Sequence, residues 1–306
     1  MHRKPTHRTR LFLRQLQLTF KLLQKNDPLR LAGATAFFAN FALPPILLIL
    51  IRLFGFFVDR RLLATRLLDR LAGIMEESSI VQIKDVLQNI RGVDHNWWAT
   101  IISFTFFIFV ATTLFGVIKN GMDQIWRIGV EKAGFLRNLK LRLRSMVIIL
   151  FAGILFFVGL LTDSVQAFIR TYMDSAAPTF GKFFLFILNE VLFIAIVTVW
   201  FTILFRFLTN GRPGWSAAAR GGLLTGILFN LGKYILRIML PLSNIGNIYG
   251  ASGSIVLIML FVFYASLIFY FGVCFVKILS DHGKKRIQPI KGAFQYELTE
   301  VKSKES

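Results

Sequence analysis

Cysteine is almost absent from this sequence, since Cys274 is the one cysteine in 306 residues. A single thiol excludes an internal disulfide, and with it a disulfide-rich extracellular scaffold. There are four histidines, and none has a second histidine, a cysteine or a carboxylate at the helical spacing of metal ligands. The glycine-rich phosphate loop of ATP-driven pumps is missing as well. The sequence therefore predicts no metal, no cofactor and no catalytic residue, and we expect that the protein is not an enzyme.

Acidic residues are also few: 16 Asp and Glu stand against 36 Lys and Arg, so the formal net charge is +20. A nucleic-acid partner would favour basic residues interleaved with exposed aromatics in a soluble module. Here the basic residues are concentrated in alternate segments between apolar runs, with eight in 1–30, seven in 119–144, three in 206–220 and seven from 277 onward. This alternation predicts cytoplasmic segments that contact anionic lipid headgroups, and no nucleic acid.

Apolar residues are abundant, at 55% of the chain with 33 Phe. Six runs reach the ~20 residues that a helix needs to cross about 30 Å of hydrocarbon, and none alternates strictly as a barrel strand does. The runs are 33–58, 97–118, 145–169, 180–208, 217–240 and 252–279. We therefore predict an all-α polytopic membrane protein with six transmembrane helices and both termini in the cytoplasm.

The remaining segments divide the chain around this membrane domain. The predicted units are a basic N-terminal segment 1–30, a membrane domain 31–280 with an outer segment 59–96 and an inner basic segment 119–144, and a cytoplasmic tail 281–306. Residues 11–23 have the spacing of an amphipathic helix lying on the inner leaflet. Two short amphipathic helices are expected in the outer segment, at the outer face.

The first apolar run contains Pro44-Pro45 near its middle. Proline lacks a backbone donor and its ring clashes with the preceding turn, so the pair predicts a kinked or broken helix. Carbonyl groups freed inside a membrane must face protein or a water-filled cavity. A kink that serves packing and a hinge that lines a site are both compatible with Pro44 and Pro45.

Ionisable side chains inside an apolar run are costly and are therefore candidates for a functional site. On the fifth run, Gly222, Gly226, Asn230, Lys233 and Arg237 follow one another at intervals of 4, 4, 3 and 4 residues, which places them on one helix face. The glycine end of this face predicts close helix packing, and the other end is polar and cationic.

Two interpretations fit the intramembrane charges. In the first, Glu190 pairs with Lys233, Asn230 braces the pair, and the arginines reach the outer interface. In the second, a pocket open to the outer side has a surplus of positive charge and binds an anionic group. The candidate ligand-binding residues are Arg52, Glu190, Asn230, Lys233, Arg237 and Tyr249.

Several stretches, in their order and spacing over about residues 26–280, resemble the YihY/BrkB family of bacterial inner-membrane proteins. They are LAGATAFF at 31–38 leading to Pro44-Pro45, NGMDQIWR at 120–127, GWSAAARGG at 214–222 running on to FNLGKY at 229–234, and IYGASGS at 248–254. The resemblance implies six spans and a multi-pass inner-membrane protein without a settled activity. The family has had a ribonuclease label, widely regarded as mistaken, and a virulence-factor label, and one branch has been linked to lipid export.

Two departures from the family pattern alter the expected charges. Gly272-Val273-Cys274 stands where family members usually have Gly-Ala-Glu, so an acidic role is missing there. Asn230 stands where a glutamate is common, which makes the surroundings of Lys233 more positive.

Three functions follow as hypotheses. The first is a transporter or flippase-like protein for an anionic lipid or another anionic amphiphile, with an outward-facing cationic pocket. The second is a non-transporting scaffold in cell-envelope assembly, which the same bundle would serve. A ribonuclease is disfavoured because no acid–base or metal constellation is visible. Membrane lipids are the expected partners, and a homo-oligomer is compatible with the sequence.

Overall fold

The structure is a computed structural model that describes residues 7–55, 59–72, 80–81, 83–85, 97–130, 147–148, 150–155, 158–159, 162, 178–242, 253–283 and 286–298. These residues are mostly helical. The helices are α1 His7–Gln24, α2 Pro28–Phe54, α3 Arg60–Ala72, α4 Trp97–Trp126, α5 Pro178–Ile203, α6 Trp215–Leu242 and α7 Gly253–His282, with a π-helical turn Leu204–Leu208 after α5. The strands are β1 Ile128–Val130, β2 Gly211–Arg212, β3 Gln288–Pro289 and β4 Ala293–Gln295.

Three helices in the described part of the chain are long and apolar enough to cross a membrane. They cover Pro28–Ile51, Phe184–Leu208 and Ile255–His282. The predicted runs 97–118 and 217–240 coincide with α4 and α6, whereas most of the run 145–169 lies outside the described residues. The helical class is confirmed, and the number of six spans stays a prediction.

The amphipathic helices expected outside the bundle are present where the structure describes them. Helix α1 packs against α7, with the ring of Phe12 edge-on to that of Phe275 at a centroid distance of 6.2 Å. Helix α3 buries Leu63 and Leu67 against α2. Residues 80–81 and 83–85 are also helical, and the rest of the second predicted outer helix lies outside the described residues.

Helix α2 begins at Pro28, where the missing proline N–H costs nothing. The helix then continues through Pro44 and Pro45 to Phe54, so it is not broken at the proline pair. The two prolines still remove the N–H donors that the carbonyls of Asn40 and Phe41 would use. Their role as a hinge stays a prediction.

Helix α7 lies at the centre of the bundle and contacts α1, α2, α4 and α6. Its Tyr270 hydroxyl is 2.9 Å from the hydroxyl of Thr35 on α2. The indole of Trp126 donates a hydrogen bond of 3.0 Å to the carbonyl of Val273. Trp126 is fully buried in the bundle.

The C-terminal segment is not a free tail over its described length, because it folds back as two strands. Strand β4 pairs with β1 and strand β3 with β2, both antiparallel. These two ribbons cover one end of the bundle, which we call the ribbon face. The strands depart from the predicted all-α fold. The sequence does not predict them, because a strand of two or three residues is too short to show an alternation of apolar and polar residues.

A buried carboxylate holds the loop that carries β2. The Oδ2 atom of Asp123 is 2.8 Å from Nζ of Lys119 and accepts a hydrogen bond of 2.9 Å from the amide of Asn210. Its Oδ1 atom accepts a bond of 3.1 Å from the Asn210 backbone N–H. Both carboxylate oxygens are therefore engaged, and the end of α4 is tied to the loop between the π-helical turn and α6.

The backbones of helices α5 and α6 lie close together. A Cβ atom at Gly222 would lie 2.7 Å from the carbonyl oxygen of Thr198 and 2.4 Å from the hydroxyl of Thr202. One at Gly226 would lie 3.0 Å from the hydroxyl of Thr198. The predicted close-packing role of the two glycines is therefore consistent with the distances, and α5 is the helix they pack against.

We expect Gly222→Ala to destabilise the protein by about 1–3 kcal/mol, because the added methyl group meets the backbone of α5 and the helices must separate. The matched control is Gly33→Ala on α2, where an added Cβ meets nothing within 4 Å and alanine favours the helix by about 0.5–1 kcal/mol. Thermal midpoints of the purified variants in detergent give the comparison. Equal midpoints for Gly222→Ala and the parent would contradict the close contact.

Candidate functional site

The two intramembrane charges that the sequence singled out on the fourth and fifth runs meet in the structure. Nζ of Lys233 on α6 lies 3.6 Å from Oε2 of Glu190 on α5. The side chains are only 13% and 17% exposed. Because Glu190 stands 18 residues before Leu208, the end of the π-helical turn, the pair is roughly 27 Å along the helix from the ribbon face.

Aromatic rings complete the surroundings of the pair. The hydroxyl of Tyr234 donates to Oε1 of Glu190 over 2.5 Å. The ammonium group of Lys233 lies 4.2 Å from the ring centroid of Phe193 and 4.8 Å from that of Tyr234, which are distances of cation–π contacts. One carboxylate and two ring faces therefore stabilise the charge of Lys233.

Two acceptors at this level have few partners. Oε2 of Glu190 has only the ion pair with Lys233, and Oδ1 of Asn230, which is also buried, accepts no hydrogen bond from any described residue. Asn230 is on the same face of α6 as Lys233, one turn earlier. A buried acceptor without a donor costs free energy, so a water molecule or a ligand hydroxyl or ammonium group would be stabilised here.

An apolar cavity of about 370 Å³ adjoins the charge pair. Its walls come from α2, α3, the helical residues 150–155 and α5; Leu47, Leu67, Ala152, Phe193 and Trp200 are among the lining residues. The described lining contains no ionisable side chain. The volume lies within the range of small-molecule pockets, and the surface is suited to a hydrocarbon chain.

Phe193 connects the cavity to the charge. Its ring lines the apolar volume and also lies against the ammonium group of Lys233. A molecule with its apolar part in the cavity would therefore have a cation, a carboxylate and the free acceptor of Asn230 one ring away. The sequence missed Phe193 because one phenylalanine among 33 has no distinguishing local signal.

Of the predicted site residues, the structure brings together Glu190, Lys233 and the face that contains Asn230. Arg52 lies in α2 and Arg237 in α6, but their side chains lie outside the described residues, as does all of Tyr249. The described pair consists of one cation and one anion, so its charges balance. A surplus of positive charge would therefore depend on Arg52 and Arg237, and it stays a prediction.

Metal binding has no support in the described ranges. They contain no group of three His, Cys, Asp or Glu side chains placed to hold an ion. The expectation of a metal-free protein concerns the whole chain and stays a prediction.

Comparison with known proteins identifies one family. The family described as Virulence factor BrkB matches residues 19–293, a stretch that contains α2 to α7, the charge pair and most of both ribbons. No curated protein and no solved structure matches the chain.

The charge pair predicts coupled effects on stability. Glu190→Gln or Lys233→Met alone leaves a buried charge without its partner, which costs up to about 3–5 kcal/mol. We expect each single variant to lower the thermal midpoint in detergent and the double variant to recover part of the loss. Arg30→Met is the control, because Arg30 and its partner Asp27 are 61% and 72% exposed and such pairs contribute about 0–1 kcal/mol. Additive losses in the double variant would show that Glu190 and Lys233 do not interact.

Proposed function

The chain belongs to the virulence-factor BrkB family, and on this premise we propose an inner-membrane transporter or flippase-like protein for an anionic lipid or another anionic amphiphile. A membrane location is supported by the family and by the apolar helices. The step to an amphiphile and to its movement is our proposal.

The observation that supports this proposal is that one ring, that of Phe193, lies between the cavity and the charge pair. An amphiphile needs an apolar volume for its chain and a polar site for its headgroup at a short distance. Phe193 supplies the contact between the two, since it lines the cavity and faces Lys233. An isolated ion pair would explain the charges without an adjoining cavity of about 370 Å³.

The preference for an anionic headgroup rests on the cations around the balanced pair. Arg237 follows Lys233 by four residues and so shares its helix face, and Arg52 is placed at a similar depth by the predicted topology. These two arginines are the proposed phosphate ligands, because guanidinium groups bind phosphate by charge-assisted hydrogen bonds. A headgroup hydroxyl or amine donor would satisfy the free acceptor of Asn230.

The orientation follows from the positive-inside rule. We propose that the ribbon face, which carries the first part of the inner basic segment and the strands of the C-terminal segment, lies in the cytoplasm. The charge pair then opens toward the outer side of the membrane. Six spans with both termini inside are part of this proposal.

A scaffold in envelope assembly is the second candidate. The balance of charge between Lys233 and Glu190, with Tyr234 as a third partner, favours it, because a satisfied ion pair needs no ligand. The scaffold and the transporter differ in one respect, namely whether filling the cavity abolishes the function of a protein that still folds.

We expect Ala152→Phe to slow lipid movement several-fold, because a phenyl ring in place of a methyl group occupies the apolar cavity. The measurement is the inward-to-outward exchange of fluorescent phosphatidylglycerol in proteoliposomes, followed by dithionite quenching. Ala219→Phe is the control, since Ala219 is exposed on α6 and is not among the residues that line the cavity. Phosphatidylcholine with the same fluorophore tests the headgroup preference.

Two results would refute the transporter. The first is a parent protein that moves no more lipid than protein-free vesicles, and the second is equal exchange by Ala152→Phe and the parent. For the charges, Lys233→Met should remain folded and lose exchange, without rescue in the Glu190→Gln double variant. Rescue would leave a structural salt bridge and favour the scaffold.

The topology has its own test. In a Cys274→Ser background, cysteines introduced at Ser78 and Ser303 should react oppositely with an impermeant thiol reagent in intact cells, Ser78 being outside and Ser303 inside. Equal labelling at both positions would contradict the proposed orientation while leaving the lipid-exchange result unaffected.

A further inference from the structure

Two arginines stand together on the ribbon face, far from the charge pair. Arg206 belongs to the π-helical turn that ends α5, and Arg212 to strand β2. Within the turn, Leu204, Phe205 and Leu208 are buried. The wider π-helical winding therefore presents Arg206 and Phe207 to the opposite side, away from the core. Single π-helical turns of this kind often occur at functional sites.

Backbone bonds and aromatic rings hold the two guanidinium groups in place. Arg206 donates a hydrogen bond to the carbonyl of Pro213, and Arg212 donates one to the carbonyl of Arg206. The Arg206 guanidinium lies 5.1 Å from the ring centroid of Trp215, and that of Arg212 lies 5.2 Å from the ring of Phe207. These distances are typical of cation–π pairs. Together with the hydrogen bonds, the contacts order both side chains.

The charges of this cluster are not balanced. No carboxylate of the described chain lies within salt-bridge distance of Arg206 or Arg212. Burial and, after it, the nearby Arg206 guanidinium lower the pKa of Arg212. Helix α6 begins at Trp215 with no acidic residue in its first turn, so the positive end of its dipole adds to the same region. Three sources of positive potential thus converge, and each would be stabilised by an anion.

We propose that Arg206 and Arg212 form a phosphate-binding site on the ribbon face, suited to the headgroup of an anionic membrane lipid. Guanidinium groups bind phosphate oxygens through paired hydrogen bonds, and the described bonds of each arginine occupy only one of its five donors. Trp215 is 57% exposed beside them, as is common for tryptophan at the membrane interface. Free phosphate offers the same oxyanion without the acyl chains.

This site is independent of the proposed transport function, since it lies at the ribbon face, away from the middle of α5 where Glu190 stands, and shares no residue with the Lys233 site. A scaffold and a flippase would both contain it. A failure of one proposal therefore leaves the other in place.

Titration of the purified full-length protein in detergent tests the site. The probes are dioctanoyl phosphatidylglycerol, dioctanoyl phosphatidylcholine and inorganic phosphate, with bound lipid counted by native mass spectrometry and affinity taken from tryptophan fluorescence. We expect the parent to prefer phosphatidylglycerol. Arg206→Gln and Arg212→Gln should each weaken that binding about 10-fold or more, the equivalent of one charge-assisted hydrogen bond.

The matched control is Arg286→Gln, which removes one exposed charge near the same ribbons and should change affinity by less than about 2-fold. Arg206→Lys and Arg212→Lys retain the charge and lose the planar fork, so they report on the site even if the Gln variants fail to fold. Arginine-dependent binding of phosphate alone, as tight as that of the lipid, would support the oxyanion site and assign it to the free ion. A parent without preference for phosphatidylglycerol or phosphate, or an equal loss in Arg286→Gln, would overturn the proposal.

Discussion

The close contact between α5 and α6 is the constraint on which the candidate site depends. Gly222 and Gly226 have no side chain, so the backbone of α6 comes within reach of Thr198 on α5. At this separation Glu190 and Lys233 meet across the interface without either side chain reaching far. A larger residue in the glycine stripe would separate the helices and leave two charges in an apolar environment, each without its partner.

A second constraint acts at the ribbon face, where hydrogen bonds and an ion pair hold the segments together instead of close packing at glycine. The Asp123 carboxylate binds Lys119 and both the side chain and the backbone of Asn210. This fixes the loop after the π-helical turn and presents strand β2 to β3. Because the ribbon, the turn and the start of α6 are held together, Arg206 and Arg212 are confined to one small area despite their like charge.

The two charged sites therefore differ in the groups that surround their cations. Lys233 has a carboxylate and two aromatic rings, and the neighbouring Asn230 keeps an unused acceptor. Arg206 and Arg212 have rings and backbone carbonyls but no acid within the described chain. In the first arrangement the opposite charges balance, whereas in the second an anion would supply the missing negative charge.

The sequence by itself determined the helical class, the family, and the sharing of one helix face by Gly222, Gly226, Asn230 and Lys233, because helical periodicity and apolar length are local properties of the chain. Only the tertiary structure decided that Glu190 meets Lys233, that Phe193 joins them to a cavity, that Trp126 is buried, and that the C-terminal segment pairs with β1 and β2. Those contacts join residues far apart in the chain, and their geometry depends on how closely helices pack, which no local pattern encodes.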